Sequence, residues 1–374
     1  MSEKATYTIL GAGRSGLAVA RLLSEEGAEV FVSDARPESE SFEQIEILEL
    51  LGLDYEFGGH TDRSLDAETI VLSPGVPPSI PVLLEAEERG VRITNEIEIA
   101  SCFCDGTIIG ITGTNGKTTT AELIGHICRE AGKKAFVAGN VGTPFSTIAR
   151  QADAESIVVL ELSSFQLERI ESFHPHVAVL LNVTPDHMDR YESIEEYGSA
   201  KLWITTNQDE SDWLIFNGDD KWLRRIKDME FKPERLECSI RMSVEKGAFL
   251  DNENLTLRMG KEDNVEQVIS ASEIGIRGPH NLVNSMAAAL ATRVVGVSGR
   301  KISEGLRSFR SLPHRLEDVA LVNGVRYVND SKGTNTDALR FALASFEEPI
   351  VLIAGGRAKK NDYSELLRPV RERV

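Results

Sequence analysis

No segment restricts the fold more than "GTIIGITGTNGKTTTAELIGHICREAG", which spans residues 106–132. An apolar run, a glycine-rich turn and an amphipathic run closed by glycine describe a strand delivered straight into a helix. Backbone amides in such a turn point inward and the helix N-terminus carries partial positive charge, so the junction suits a phosphate. The usual phosphate-loop pattern places a glycine five residues before the glycine of its Gly-Lys pair. Ile111 holds that place here, between Gly110 and Gly113. The rest of the cradle is present: Gly113, Thr114, Asn115 and Gly116 form the turn, and Lys117, Thr118 and Thr119 open the helix. Lys117 is placed to reach β- and γ-phosphates, and the Thr118 hydroxyl to ligate Mg²⁺. An ordinary glycine turn is the alternative, and it requires several coincidences at one junction.

The same strand-then-helix alternation predicts an α/β chain of three domains built on parallel sheets. "YTILGAG", "EVFVSDA" and "TIVLSPG" read as strands and "SGLAVARLLSEEG" as a helix of a first domain, residues 1–95. In a central domain, 96–311, "GTIIGIT", "KAFVAG", "SIVVLEL", "HVAVLLNV" and "WLIFNG" are mostly continuous apolar runs, as in strands covered on both faces. Residues 236–274 turn to short polar strands, expected as an antiparallel edge, ahead of the helix "PHNLVNSMAAALATRVVG". A third domain, 312–374, restarts with the strand "VRYVND", a helix over 335–346, the strand "PIVLIAGG" and a last helical piece. At about 60 residues it is near the lower limit for a core of its own.

Other stretches place chemistry at strand ends. A phosphate loop acting on a metal-bound nucleotide needs an acid on a neighbouring strand. Glu161 ends the apolar run of "SIVVLEL", where an unpaired charge is costly; water beyond the strand end is the alternative. "NVTPDHMDRY" sets Asp186, His187 and Asp189 in the loop after another buried run, as metal ligands or as surface residues. Lys201, in "YGSAKLWI", falls in a helix, where most lysines are solvated. "GAGRSG", Gly11–Gly16, fits Gly-x-Gly-x-x-Gly with Asp34 ending the next strand. That pattern serves an NAD-dependent oxidoreductase and equally any nucleoside diphosphate at a helix end. Arg14 and Arg36 add positive charge there. Ser73, Pro74 and Gly75 begin a turn-rich loop at a strand's carboxyl end, where ligands of open α/β sheets gather. Asp330, Lys332 and Thr334 share one loop after a strand, as a ligand surface or a helix cap.

Composition narrows the partners. A formal net charge of −18 without a Lys/Arg stripe argues against nucleic acid. No apolar run is long enough to span a bilayer, and "MSEKATYTILGAG" lacks the basic region and apolar core of a secretory signal. Cys102, Cys104, Cys128 and Cys238 fit no metal or CxxC spacing, as expected of reduced thiols in a cytoplasm.

Together "GAGRSG", "LSPGVP", "GITGTNGKTT", "GNVG", "LELSSFQLE", "NVTPDHMDRY", "AKLWI", "GPHNLVNSMAAA", "LPHRLE" and "VNDSKGTN" make the chain similar to the Mur ligases. "LELSSFQLE" with "NVTPDHMDRY" resembles the branch that adds D-glutamate. The resemblance implies a Rossmann-like first domain binding a UDP substrate, a central P-loop-type ATPase domain and a truncated Rossmann-like third domain. It implies a cytoplasmic monomer that joins D-glutamate to UDP-N-acetylmuramoyl-L-alanine with ATP, in peptidoglycan precursor synthesis. In this reading UDP takes the place of NAD.

Residue by residue, the resemblance puts ATP on Gly113 to Thr119, with Asn281, Arg315 and Asp330 at its adenine, phosphate and ribose. Thr118 and Glu161 would hold one Mg²⁺, and His187 a second; Lys201 matches the lysine that the family carbamylates with CO₂. Arg14, Ser15, Asp34 and Ser73 to Gly75 would surround the uridine diphosphate end, and Asn140, Ser163 and Gln166 the muramoyl end. Lys332, Thr334 and Lys359 would lie near D-glutamate. Two features depart from the family: its third domain runs about twice as long, and "AGGRAKKND" has Arg357 where an acid is usual. A nucleotide-binding protein without turnover, and a relative adding L-alanine, a diamine or polyglutamate, remain as alternatives.

Overall fold

The computed structural model describes residues 5–260, 265–356 and 363–374, so Arg357 and Lys359 lie outside the described residues. The chain forms two compact units. One comprises Met1–Gly110, Lys134–His176 and Ser199–Gln208; the other comprises Ile111–Lys133, Val177–Gly198 and Asp209–Val374.

The first unit contains β1 (Thr6–Leu10), β2 (Glu29–Asp34), β3 (Asp54–Phe57), β4 (Thr69–Leu72) and β5 (Arg92–Asn95). These are all parallel, in the order β3-β2-β1-β4-β5. Helices α1 (Arg14–Glu25), α2 (Phe42–Leu51) and α3 (Pro81–Arg89) connect them, and α4 (Glu96–Ser101) follows β5. Ile9, Val19, Leu23, Val32 and Val71 form a core between sheet and helices. The strand order reverses between β1 and β4, which makes a crevice at their carboxyl ends. Asn95 starts α4 by accepting from the amides of Ile97 at 3.0 Å and Glu98 at 3.1 Å. Glu98 in turn accepts from the amides of Glu171 at 3.0 Å, Ser172 at 2.8 Å and Phe173 at 2.9 Å. Burial pushes the Glu98 carboxyl up, but the Ser172 hydroxyl and those three amides outweigh it and hold the group below its ordinary value.

A second sheet is built from β6 (Thr107–Thr112), β7 (Ala135–Gly139), β8 (Ile157–Glu161), β9 (Val177–Leu180), β10 (Trp213–Asn217), β11 (Glu234–Ser239), β12 (Gly247–Asp251), β13 (Asn254–Arg258) and β14 (Val265–Ser270). Its order is β14-β13-β12-β11-β10-β9-β6-β8-β7. Every residue of β8 and β9 is buried, which is why their sequences are unbroken apolar runs rather than alternating ones. The expected antiparallel edge is confined to β13 and β14, because β11 and β12 still pair in parallel with their inner neighbours. Helices α5 (Lys117–Glu130), α6 (Phe145–Ile148), α7 (Ser164–Leu167), α8 (Ile194–Leu202), α9 (Pro279–Val294) and α10 (Gly299–Ser308) complete this part. Gly305 lets α10 approach α5, since a Cβ there would stand 2.8 Å from the Ile127 side chain.

After Phe309 come β15 (Glu317–Val322), β16 (Val325–Asn329), α11 (Thr336–Ala344) and α12 (Leu367–Arg373). β16 pairs with β15 as an antiparallel hairpin turning at Asn323-Gly324, both at positive φ of 50° and 79°. That is the Asn-Gly hairpin signal, legible in "LVNGVRYV". The strand expected over "PIVLIAGG" is absent from residues 351–356, where Val351 and Ile353 are 93% and 96% exposed. An apolar run becomes a strand only where a neighbour offers a ladder, and no described strand pairs with this one.

Candidate functional site

The turn after β6 is a glycine turn that leads straight into the N-terminus of α5. Gly113 and Gly116 have φ of 152° and 88°, and a Cβ on Gly116 would stand 2.6 Å from Asn284 Oδ1. The loop is held by residues beyond β9. Asn182 Oδ1 accepts from the Asn115 amide at 2.8 Å, Asn182 Nδ2 donates to the Asn115 carbonyl at 3.0 Å, and the Asn182 carbonyl accepts from the Thr114 amide at 3.0 Å. Thr114 Oγ1 bonds both the carbonyl and the amide of Thr184, each at 3.1 Å. It also meets the Tyr197 hydroxyl, whose pKa burial pushes up to about 12. The Lys117 ammonium donates to the carbonyls of Gly113 at 2.8 Å and Thr114 at 2.9 Å. Thr119 is 8% exposed, one turn into α5.

Three further polar groups of the same unit meet this loop. Arg315 Nη2 donates to Thr118 Oγ1 at 2.9 Å. Asn335 Nδ2 donates to Asn115 Oδ1 at 3.0 Å, and Asn115 Nδ2 donates to Asp337 Oδ2 at 3.4 Å. On α9, Asn281 accepts from Asn284, which lies against Gly116, at 3.1 Å. Asp330 accepts from the Leu316 amide at 3.1 Å; burial raises its carboxyl against the opposing pull of that amide and Arg315. Lys332 and Thr334 lie exposed in the loop just before Asn335. His187 is exposed at φ 57°, its amide donating to Asp186 at 3.0 Å, and Asp189 is also exposed.

In the first unit, the glycine fingerprint packs α1 onto its own turn: a Cβ on Gly16 would stand 1.9 Å from the Gly11 carbonyl oxygen. Ser73 Oγ donates to that oxygen at 2.8 Å, tying the loop after β4, with Pro74 and Gly75, to the loop after β1. Arg14 and Ser15 begin α1 there. Asp34 accepts from the Ala12 amide at 2.6 Å and pairs with Arg36 at 2.8 Å. Burial pushes its carboxyl up, but Arg36 and the two amides hold it lower than ordinary.

At the end of β8, Glu161 is 4% exposed, and among the described residues its carboxylate accepts only from Asn140 Nδ2, at 3.3 Å. Gly139, at φ 115°, passes so near that a Cβ would be 2.2 Å from the Glu161 carbonyl oxygen. Ser163 and Gln166 form a capping box on α7 that fixes the Gln166 carbonyl end. Gln166 is 2% exposed, and its Nε2 meets no acceptor among the described residues. Lys201 is 2% exposed, against the expectation of a solvated helix lysine.

The structure therefore gathers residues 113–119, Asn281 and Arg315 at one loop, and Arg14, Ser15, Asp34 and Ser73–Gly75 at the β1/β4 crevice. Sequence reasoning missed Asn182, Asn284, Asn335 and Asp337. The signals were present as an asparagine closing a buried run, an Asn pair spaced i,i+3 on a helix, and an Asn-x-Asp helix start.

Residues 111–292 match the Mur ligase middle domain, and residues 5–95 the N-terminal domain of the MurD-like Mur ligases. A UDP-N-acetylmuramoylalanine–D-glutamate ligase from Salinibacter ruber is 45% identical over 98% of this chain and 81% of its own length. The chain belongs to the Mur ligase family. A second D-glutamate ligase, from Alkaliphilus metalliredigens, is 40% identical over 96% of this Mur ligase chain and 79% of its own. Among solved structures, UDP-N-acetylmuramate–alanine ligase from Thermotoga maritima matches with a TM-score of 0.55 at 20% identity, covering 92% of this chain and 77% of its own. The MurF ligase of the same organism, solved with ADP, gives 0.54 at 20%, covering 93% and 73%. These structures share the multi-domain α/β fold. No helix among the described residues of this Mur ligase is long and apolar enough to cross a membrane.

Proposed function

We propose that this Mur ligase joins D-glutamate to the carboxylate of UDP-N-acetylmuramoyl-L-alanine with ATP, through an acyl phosphate, releasing ADP and phosphate. The reaction serves peptidoglycan precursor synthesis, and the chain acts as a cytoplasmic monomer of three domains, 1–95, 96–311 and 312–374. The observation that carries the reading is a phosphate loop pinned at Asn115 and Thr114, in a chain 45% identical to a D-glutamate ligase over 98% of its length.

A carboxylate is a poor electrophile, so amide formation needs a better leaving group on it. ATP supplies one: a carboxylate oxygen attacks the γ-phosphorus, the bond to the β-γ bridging oxygen breaks, and ADP departs. The D-glutamate amine, unprotonated, then attacks the acyl carbon and displaces phosphate. The amides of residues 116–118 hold the β- and γ-phosphates at the start of α5, while those of Thr114 and Asn115 stay on Asn182 and shape the turn. The Lys117 ammonium exchanges its two loop carbonyls for phosphate oxygens, and Arg315, already at Thr118, faces the same charge. Asn281 and Asp330 orient the adenine and ribose. The β1/β4 crevice, with Arg14, Ser15, Asp34 and Ser73–Gly75, takes the uridine diphosphate. Asn140, Ser163 and Gln166 take the muramoyl portion, with the open Gln166 Nε2 as a ready donor. Lys332, Thr334 and Lys359 receive D-glutamate.

The donor set fits Mg²⁺. Thr118 hydroxyl and the buried Glu161 carboxylate are hard oxygen ligands, and Glu161 has no Lys or Arg ion pair among the described residues. Each would offer Mg²⁺ a ligand, as would His187 and, once carbamylated, Lys201. When bound, Mg²⁺ neutralises phosphate oxygens that would otherwise repel the incoming carboxylate.

The test is ADP release measured with each substrate omitted in turn. Release requiring both UDP-N-acetylmuramoyl-L-alanine and D-glutamate supports the reading. Release with another amino acid in place of D-glutamate, or none at all, overturns it.

A further inference from the structure

We propose that the Asn115 side chain is a positioning residue that couples the phosphate loop to the amino-acid loop. Residues 330–334 run directly into Asn335, and the first turn of α11 sets where that loop ends. The inference rests on the proposed function in assigning ATP to the phosphate loop and D-glutamate to Lys332 and Thr334.

Asn115 divides its polar groups between two tasks. Its backbone amide and carbonyl are both taken by Asn182, so the cradle is shaped without the side chain. Its side-chain amide is spent on α11: Oδ1 accepts from Asn335 at 3.0 Å and Nδ2 donates to Asp337 at 3.4 Å. Asn335 is also the α11 cap, its own Oδ1 accepting from the Ala338 amide at 2.8 Å. One side chain of the nucleotide loop thus holds the cap that terminates the amino-acid loop. Asp337 is fixed on its other side by Arg340, so its Oδ2 stays turned toward Asn115. A primary amide is the group that serves both partners, because it presents an acceptor to the Asn335 donor and a donor to the Asp337 carboxylate. ATP in the cradle and D-glutamate on the following loop are then read by one connected unit.

The pairing predicts a charge-swap rescue. Asn115→Asp keeps the acceptor for Asn335 but sets a carboxylate against Asp337; adding Asp337→Asn supplies a donor in its place. In steady-state assays the single variant raises KM for D-glutamate about tenfold, and the double variant returns it to near the parent. A loop merely disordered by the change at Asn115 would not be rescued by a change at Asp337. Hydrogen exchange in the same three proteins gives a readout that needs no turnover. The Ala338 amide exchanges about tenfold faster in Asn115→Asp than in the parent, and the double variant reverses this. If the parent releases no ADP, the proposed function fails and the exchange data alone judge the coupling. Unchanged Ala338 exchange in the single variant, or a double variant no better than the single in either assay, overturns the coupling.

Discussion

Asn182 and Asn115 exchange two hydrogen bonds, the carboxamide of one spanning the backbone amide and carbonyl of the other. The strand that leads into Asn182 therefore acts as a template for the glycine loop at Asn115. Asn182→Ala deletes both bonds while leaving the Thr114 amide on the main-chain carbonyl. It should raise KM for ATP about tenfold and cost about 1–3 kcal/mol of stability. Kinetics at varied ATP together with urea unfolding would check both numbers; an unaltered KM would refute the template role.

Lys117→Ala removes the ammonium that bonds the carbonyls of Gly113 and Thr114. Acyl-phosphate formation should fall at least about a thousandfold with the melting temperature little changed. Radiolabelled γ-phosphate trapped on the substrate carboxylate measures the step directly.

Glu161→Ala should abolish the same step for a different reason, since it deletes a buried carboxylate that, among the described residues, bonds one amide and no cation. Because burying that charge is costly without a metal, the variant should melt no lower than the parent in metal-free buffer. A clear loss of stability there would mark Glu161 as structural.

Gly16→Ala puts a methyl group where the Gly11 carbonyl already stands, at 1.9 Å. The turn after β1 must open, and titration calorimetry with UDP-N-acetylmuramoyl-L-alanine should show affinity lowered at least about tenfold. Nucleotide binding at the other loop should be unaffected.

Glu98→Gln provides a pH test. The Glu98 carboxyl is held below its ordinary value of 4.5, so its contribution is fully present above that pH and is lost as pH falls through the lower, folded value. The variant should be about 2 kcal/mol less stable than the parent near neutrality. The difference should close progressively once the pH is taken well below 4.5. A gap independent of pH would show that shape, not charge, makes the contribution.

The central strands were legible because burial on both faces leaves an unbroken apolar run, as in "SIVVLE" and "VAVLL". The glycine loops were legible because positive φ and close backbone approach leave glycine as the residue that fits, at Gly11, Gly16 and Gly113. Asn182 and the Asn335–Asp337 pair left local signals in the sequence, but their partners were not legible. Their role arises from tertiary neighbours 67 and 220 residues away in sequence, and no local pattern encodes such a distance. "PIVLIAGG" failed in the opposite sense: its composition is strand-like, but a ladder depends on a partner that a linear reading does not supply. Lys201 shows the same limit, because a helix position fixes spacing and not which face is covered.

The hairpin of β15 and β16 has a material consequence. Val319, Leu321, Val322, Val325 and Tyr327 are each more than half exposed on it, and a lone pair of strands offers open backbone edges as well. Such a ribbon is adhesive. As concentration rises, copies of the chain should stick edge to edge and drift toward precipitate, and lysines in place of Val319 and Leu321 should keep the protein in solution.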